Sequence, residues 1–167
     1  TDDTVMTLAV ASWLSSTNRT SDALVKSMQY FGSLYPHAGY GRNFYNWLRD
    51  EDPQPYYSWG NGSAMRVSPC AWVAQSLEEA EELAKQSAEV THNHPEGIKG
   101  AQSVAAAIFM ARNGVSKEDI KTYITEKYNY NLDRTLDEIK KSGYRFDVSC
   151  QGSVPEAIIA FLESENF

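Results

Sequence analysis

The first four residues of the chain, Thr1-Asp2-Asp3-Thr4, place two carboxylates beside two hydroxyls. Mg²⁺ and Ca²⁺ prefer hard oxygen ligands of this kind. The apolar spacing that follows predicts a helix, and adjacent helical side chains point about 100° apart, so Asp2 and Asp3 can each address a different ion of a close pair. A helix cap is the alternative, because the helix dipole and unpaired amides also stabilise acidic groups. These four residues alone leave both interpretations open.

A second candidate site is the glycine-containing segment 58–66. Glycines at positions 60 and 62 permit positive φ and close backbone approach. Successive amides in such a turn form a nest for anions, whereas an isolated Gly-x-Gly is most often an ordinary turn. The neighbouring side chains favour the anion site, because they offer three hydrogen-bond donors and a stacking surface, namely Ser58, Asn61, Ser63 and Trp59.

Two histidines, His92 and His94, lie in a polar segment between two predicted helices. Zinc requires three or four ligands, and no cysteine or third histidine is near in sequence, so zinc is disfavoured. The preferred interpretation is that one of the two histidines faces a pocket as a hydrogen-bond donor. Cys70 and Cys150 are 80 positions apart and fit buried thiols in a reducing compartment better than a disulfide framework or a metal site.

The elements that must hold these residues are predicted to be helices. Three Ser/Thr-x-x-Glu patterns are typical of capping boxes at helix starts, at 76–79, 135–138 and 153–156, with Pro155 in the first turn of the last helix. Apolar residues recur at helical spacing, while the alternation typical of strands is nearly absent. The predicted helices cover roughly residues 4–16, 20–31, 41–50, 68–74, 77–90, 98–113, 117–128, 135–141 and 154–164. The chain is therefore predicted to be all-α.

Composition and charge limit the class of protein. The 167 residues are 42% hydrophobic and 22% charged, as in an ordinary globular domain. A net charge of −7 with 15 Lys and Arg argues against non-specific nucleic-acid binding, which depends on clustered basic residues. An anionic small molecule stays compatible, because amides and a metal ion can hold phosphates. No apolar run approaches the ~20 residues that cross a bilayer, and no signal peptide is visible, so we expect a cytoplasmic protein.

Four segments, in the order expected, resemble the bacterial dinitrogenase-reductase-activating class of ADP-ribosylglycohydrolases. They are Thr-Asp-Asp-Thr-Val-Met-Thr-Leu-Ala-Val at 1–10, Gly-Asn-Gly-Ser-Ala-Met-Arg at 60–66, Thr-His-Asn-His-Pro-Glu-Gly-Ile-Lys-Gly-Ala at 91–101, and Ser-Val-Pro-Glu-Ala at 153–157. The resemblance implies an orthogonal multi-helix all-α bundle and a cleft with two Mg²⁺ ions. It also implies hydrolysis of the glycosidic bond between ADP-ribose and an acceptor on a protein, nucleic acid or small molecule, so ADP-ribose or an ADP-ribosylated substrate is the expected partner.

The resemblance also implies a role for individual residues. Thr1, Asp2 and Asp3 would be metal ligands, and the two aspartates would be catalytic. The diphosphate and ribose would be lined by Ser58, Gly60, Asn61, Gly62 and Ser63, with Met65 in the wall. Trp59 would pack near the adenine, and His92 would approach the phosphate–ribose portion.

Two segments of the family pattern are not found in this chain. One is an N-terminal Gly-Asp-containing helix with a metal-linked glutamate, and the other is a Gly-Gly-Asp-x-Asp-Thr segment whose aspartates complete the metal site. We therefore expect residues 1–167 to form a single but incomplete domain, truncated at both ends, with one or both ions weakened or lost. A non-catalytic ADP-ribose-binding module and a structural pseudoenzyme of the same fold are the alternatives to an active hydrolase.

Overall fold

Ten helices form the regular structure of residues 1–165, the part of the chain that the computed structural model describes. Positions 166 and 167, the last two of the predicted domain, lie outside the described residues. Pairing of extended segments within residues 1–165 is limited to one antiparallel bridge, between Gly60 and Ser149. The all-α prediction is confirmed. The helices are α1 (Asp2–Ser15), α2 (Ser21–Leu34), α3 (Arg42–Trp47), α4 (Gly62–Met65), α5 (Ser68–Val73), α6 (Leu77–Glu89), α7 (Pro95–Arg112), α8 (Lys117–Tyr128), α9 (Leu136–Lys141) and α10 (Cys150–Glu163).

Side chains cap several helix starts as the sequence patterns predict. Ser76 accepts a hydrogen bond from the amide of Glu79, and Ser116 likewise accepts from the amide of Asp119 at the start of α8, where a helix from residue 117 is predicted. Thr135 and Glu138 form the reciprocal capping box at the start of α9. At α6 the carboxylate of Glu79 accepts from the amide of Gln75 at 2.7 Å, one residue before the predicted partner. These contacts satisfy amides that would otherwise lack acceptors at the first turn.

The predicted start of the last helix is wrong. Helix α10 begins at Cys150, because Ser149 supplies an earlier cap by accepting from the amide of Gly152 at 3.1 Å. Ser153, the predicted cap, lies inside the helix and donates its hydroxyl proton to the carbonyl of Ser149 at 2.6 Å. Pro155 consequently lies in the second turn of α10 instead of the first.

Helices α7 and α4 also differ from the prediction. Helix α7 begins at Pro95, about one turn before the predicted residue 98, because the ring of His94 accepts from the amide of Glu96 at 3.0 Å and a first-turn proline needs no acceptor. The short α4 was not predicted at all. Four residues are too few to produce a recognisable apolar period.

Helix α7 is the element against which the candidate site is built. It packs against α4, α5, α6, α8 and α10, and its buried face consists mainly of Gly, Ala and Ser. A Cβ on Gly97 would lie 2.6 Å from the carbonyl oxygen of Ser58, and a Cβ on Gly100 would collide with the Cys150 thiol. The two missing side chains therefore let the segment before α4 and the start of α10 contact the same helix.

Two groups of buried apolar residues meet at α7. One includes Val5, Ala9 and Trp13 of α1 and packs with α2, α5 and α6, and the other lies among α8, α9 and α10. Cys70 and Cys150 are both free and buried, so the predicted pair of buried thiols is confirmed. None of the helices within residues 1–165 combines the length and apolar character that crossing a bilayer requires.

Candidate functional site

A cleft of about 490 Å³ is bordered by the start of α1, by α3 and α4, and by the segment before α10. Ligand pockets for small molecules commonly have volumes of this order. Seven residues that the sequence singled out line it: Asp2, Ser58, Gly60, Asn61, Gly62, Met65 and His92. The structure therefore brings together three segments that lie far apart in the chain. The other lining residues are Gly39, Gly41, Arg42, Asn43, Phe44, Tyr56, Arg66, Phe146 and Val148.

Four residues proposed from the sequence do not line this cleft. Thr1 and Asp3 are exposed at the start of α1, where the Thr1 hydroxyl donates to the Asp3 carboxylate at 3.1 Å. Ser63 is fully buried and donates to the carbonyl of Gly97 at 2.7 Å, which fixes α4 on α7. Trp59 is 52% exposed, and its ring meets that of His94 edge-on with centroids 5.6 Å apart.

The backbone amides between residues 60 and 64 fall into two groups. Gly60 donates to the Ser58 hydroxyl at 3.1 Å and Asn61 donates to the carbonyl of Val148 at 2.7 Å, so both amides are used within the protein. The next three amides, at residues 62–64, donate to no protein acceptor within the described part of the chain. Unpaired amides at a helix start attract anions. The free donors therefore lie at the start of α4, just after the predicted turn.

The glycines of this loop allow neighbouring groups to approach the backbone closely, and neither is required by its backbone conformation. Neither Gly60 nor Gly62 has a positive φ; the glycines of the described chain that do are Gly39, Gly114 and Gly143. A Cβ on Gly62 would lie 3.1 Å from Nε2 of His92, whose ring occupies the space beside the loop. The absence of a side chain at Gly62 therefore lets the imidazole of His92 pack directly on the glycine backbone.

The side chain of Asn61 is committed to the protein. Its amide nitrogen donates to the carbonyl of Asp147 at 3.2 Å and to the hydroxyl of Ser153 at 3.0 Å. A planar amide nitrogen has two protons, so these bonds occupy both. The side chain of Asn61 therefore has no free proton to donate to a ligand in this arrangement.

Of the two histidines, His92 is the one that faces the cleft. It is 5% exposed, and its Nδ1 lies 2.7 Å from the hydroxyl of Thr91. Burial, and then the nearby positive charge of Arg66, lower the pKa of His92 to about 3. The imidazole is therefore neutral at physiological pH. His94 instead caps α7 and does not line the cleft.

Arg66 is a buried cation that the sequence motif contained but to which no role was assigned. It is 1% exposed and donates from Nη2 to the carbonyl of Ser87 at 2.6 Å and to Thr91 Oγ1 at 2.9 Å. Burial lowers the pKa of Arg66 to about 10, so the guanidinium keeps its charge at neutral pH. No ion pair within residues 1–165 involves it. The sequence signal that could have pointed to Arg66 is its position as a basic residue directly after the glycine-containing segment.

Comparison with known proteins agrees with this geometry. A family model for ADP-ribosylglycohydrolase matches residues 1–167. The chain belongs to the ADP-ribosylglycohydrolase family. Its all-α architecture is the one expected of an ADP-ribosylglycohydrolase.

Curated relatives support the same family at modest identity. The chain is 29% identical to ADP-ribosylarginine hydrolase Tri1 of Pseudomonas putida over 140 residues, which cover 77% of this chain and 35% of the relative. It is 37% identical to mouse ADP-ribosylhydrolase ARH3 over 62 residues, covering 37% of this chain and 17% of the relative. The chicken ARH3 is 34% identical over 82 residues, with coverage of 48% and 22%. The matched segments thus span about a third or less of these relatives.

The acidic pair at the start of α1, Asp2 and Asp3, supplies oxygen donors of the type that Mg²⁺ prefers. The pKa of Asp2 is raised by burial and then by the charge of Asp3, and no cation pairs with either carboxylate in the described chain. With the Thr1 hydroxyl, the two carboxylates supply hard oxygens, whereas Mg²⁺ takes about six. Among residues 1–165 no third His, Cys, Asp or Glu joins them. The donors fit Mg²⁺ in type but are fewer than the roughly six oxygens that the ion takes.

Two apolar residues at the edge of the cleft were not predicted from the sequence. Phe146 is 90% exposed and Val148 is 61% exposed, and both line the cleft. They lie in the non-helical segment before α10, where the chain has no periodic pattern to mark them. An exposed phenylalanine at a cleft offers a flat surface for a ring system.

Proposed function

We propose that this chain forms the ADP-ribose-binding cleft of a Mg²⁺-dependent hydrolase that cleaves the glycosidic bond between ADP-ribose and an acceptor. The observation that carries the proposal is that Asp2, His92 and Gly62, whose amide has no acceptor among the described residues, line a single cleft. A hard-oxygen ligand, a neutral ring donor and an unpaired backbone amide suit a substrate that has ribose hydroxyls and a diphosphate. Family membership supports the same assignment.

The diphosphate of the ligand is the part that the free amide of Gly62 would bind. An unpaired backbone amide attracts negative oxygens through its proton. Arg42 is exposed at the edge of the cleft and has no carboxylate partner among residues 1–165. Its charge would add to the attraction for an anionic ligand in a chain whose net charge is −7. The hydrogen-bond donors at the cleft therefore suit a diphosphate, although the chain as a whole is acidic.

The metal-binding role falls to Thr1, Asp2 and Asp3, with water completing the shell. Bound Mg²⁺ supplies charge that polarises water and ribose hydroxyls near the reacting carbon. Asp2 borders the cleft, and in this proposal its carboxylate orients those hydroxyls as the glycosidic bond breaks through an oxocarbenium-like state. Water then adds its oxygen to the anomeric carbon and its proton goes to the departing acceptor.

The linkage to arginine is the first one to examine, because one relative is an ADP-ribosylarginine hydrolase. Calorimetric titration of the chain with ADP-ribose, with and without Mg²⁺, tests binding. We expect saturable binding that tightens in Mg²⁺, and no heat at millimolar ADP-ribose would overturn the proposal.

Release of ADP-ribose from ADP-ribosylarginine and ADP-ribosylserine peptides tests the reaction. Binding with no release from either peptide would reduce the function to ADP-ribose recognition. Release that stops after Mg²⁺ is chelated and resumes when Mg²⁺ is restored is the result expected of the hydrolase.

A further inference from the structure

A chain of hydrogen bonds runs from the protein interior to the cleft. Arg66 Nη2 donates to the carbonyl of Ser87 at 2.6 Å and to Thr91 Oγ1 at 2.9 Å, and Thr91 Oγ1 lies 2.7 Å from His92 Nδ1. All four residues are at most 5% exposed. The chain links the end of α4, the end of α6 and the segment that follows it.

The donors and acceptors of this chain allow one consistent arrangement of protons. A guanidinium donates only, so Thr91 Oγ1 accepts from Arg66. The Thr91 hydroxyl has one proton, and the acceptor available to it among the described residues is Nδ1 of His92. Were Nδ1 protonated instead, the Thr91 proton would be buried without an acceptor, which proteins avoid. The neutral imidazole must therefore bear its proton on Nε2.

We propose that Arg66 and Thr91 are positioning residues that hold His92 as an Nε2–H donor directed at the 60–62 loop. The inference rests on the proposed function, since the acceptor for this proton is an oxygen of the bound anionic ligand. Nε2 lies 3.1 Å and 3.5 Å from the positions that a Cβ would occupy at Gly62 and Gly60. It has no protein acceptor within residues 1–165, so its proton is free for a ligand in the cleft.

The buried charge of Arg66 reinforces the same state of the ring. A cation without a carboxylate partner disfavours a second positive charge nearby. The lowered pKa of His92, caused by burial and then by Arg66, agrees with this. Arg66 therefore acts on the ring in two ways, through the hydroxyl that it orients and through its field.

Long-range ¹H–¹⁵N NMR of the ligand-free chain tests the proposal directly, because it distinguishes the two neutral tautomers. The chain has three histidines, and the signal that disappears in His92→Gln identifies the residue. At pH 7 we expect a neutral ring protonated at Nε2. A ring protonated at Nδ1, or an imidazolium, would overturn the proposal without reference to any ligand.

Thr91→Val and Thr91→Ser form the matched pair of variants. Valine keeps the volume of threonine but removes the hydroxyl, so the ring should become a mixture of tautomers and ADP-ribose should bind roughly tenfold more weakly. Serine keeps the hydroxyl and should restore both the tautomer and the affinity. A Thr91→Val protein with the parental tautomer would contradict the relay.

Failure of the two proposals can be told apart. An Nε2-protonated ring in a parent protein that binds no ADP-ribose would support the relay and contradict the ligand assignment. Should Thr91→Val not fold, the tautomer of the parent and that of Thr91→Ser still decide the question.

Discussion

The side-chain amide of Asn61 donates to the hydroxyl of Ser153 at 3.0 Å, across 92 residues of chain. Its second bond goes to the carbonyl of Asp147 at 3.2 Å. The glycine loop and the start of α10 are thereby joined by one side chain. A motif residue that resemblance assigns to the ligand is thus used here to hold two walls of the cleft together.

Replacing Asn61 with alanine should destabilise the protein by about 1–2 kcal/mol, because two hydrogen bonds are lost and the Asp147 carbonyl loses a donor. Urea denaturation measures the change in the free energy of unfolding. Asn43→Ala is the matched control, since Asn43 also lines the cleft but makes no side-chain hydrogen bond to the described residues. Equal losses of stability in the two variants would contradict the bracing role.

Gly62→Ala should displace the His92 ring, because the new Cβ would lie 3.1 Å from Nε2. We expect ADP-ribose affinity to fall roughly tenfold or more as the donor moves. Gly41→Ala provides the control: Gly41 lines the same cleft, but a Cβ there meets nothing within 4 Å. Calorimetry on both variants checks the difference, and unchanged affinity in Gly62→Ala would show that the contact tolerates a methyl group.

Asp2→Asn and Asp3→Asn should each abolish stabilisation by Mg²⁺. In the parent, Mg²⁺ at tenfold its Kd should raise the Tm by roughly 3–5 °C, since a ligand stabilises only the state that binds it. Asp22→Asn removes an acidic residue from the first turn of α2, away from the cleft, and should keep the full shift. Differential scanning calorimetry with and without Mg²⁺ compares the four proteins. Parental shifts in both Asp2→Asn and Asp3→Asn would remove the metal role from these aspartates.

His92 should make the protein less stable in acid. Its pKa is about 3 in the folded state, below the ordinary value of 6.5, so between these values the unfolded chain binds a proton that the folded chain does not. The free energy of unfolding therefore falls as pH drops from about 6.5, and the share due to His92 between pH 7 and pH 5 is roughly 1–2 kcal/mol. Urea titrations at both pH values should give a smaller drop for His92→Gln. A drop in His92→Gln as large as that of the parent would contradict this assignment.

The sequence predicts most of the long helices well because they have both an apolar period and a capping residue, although no side chain caps α1. Thr135 and Glu138 form the box that their spacing predicts. The start of α10 was misplaced because Ser149 and Ser153 are both competent caps one turn apart, and which one is used depends on contacts with the distant 58–61 segment. Asn61 bonding to Ser153 is one such contact.

The sequence predicts several residues that line the cleft, but it does not predict which of them bond to the protein itself. Asp2, Gly62 and His92 do line one cleft, as the motifs suggested. The sequence could not indicate that the Asn61 amide bonds to Ser153 of α10 or that Arg66 lies buried behind His92. Both facts depend on contacts between residues that are distant in sequence. The ligation of Mg²⁺ by Thr1, Asp2 and Asp3 stays a prediction.

The bridge between Gly60 and Ser149 has a consequence for how the protein folds. It joins segments 89 positions apart, and contacts of such long separation form late because closing a large loop costs chain entropy. The helices of the first hundred residues can pack earlier than the cleft exists. Ligand affinity should thus appear only with the last kinetic phase of refolding, which makes ADP-ribose a reporter of complete assembly and not of helix formation.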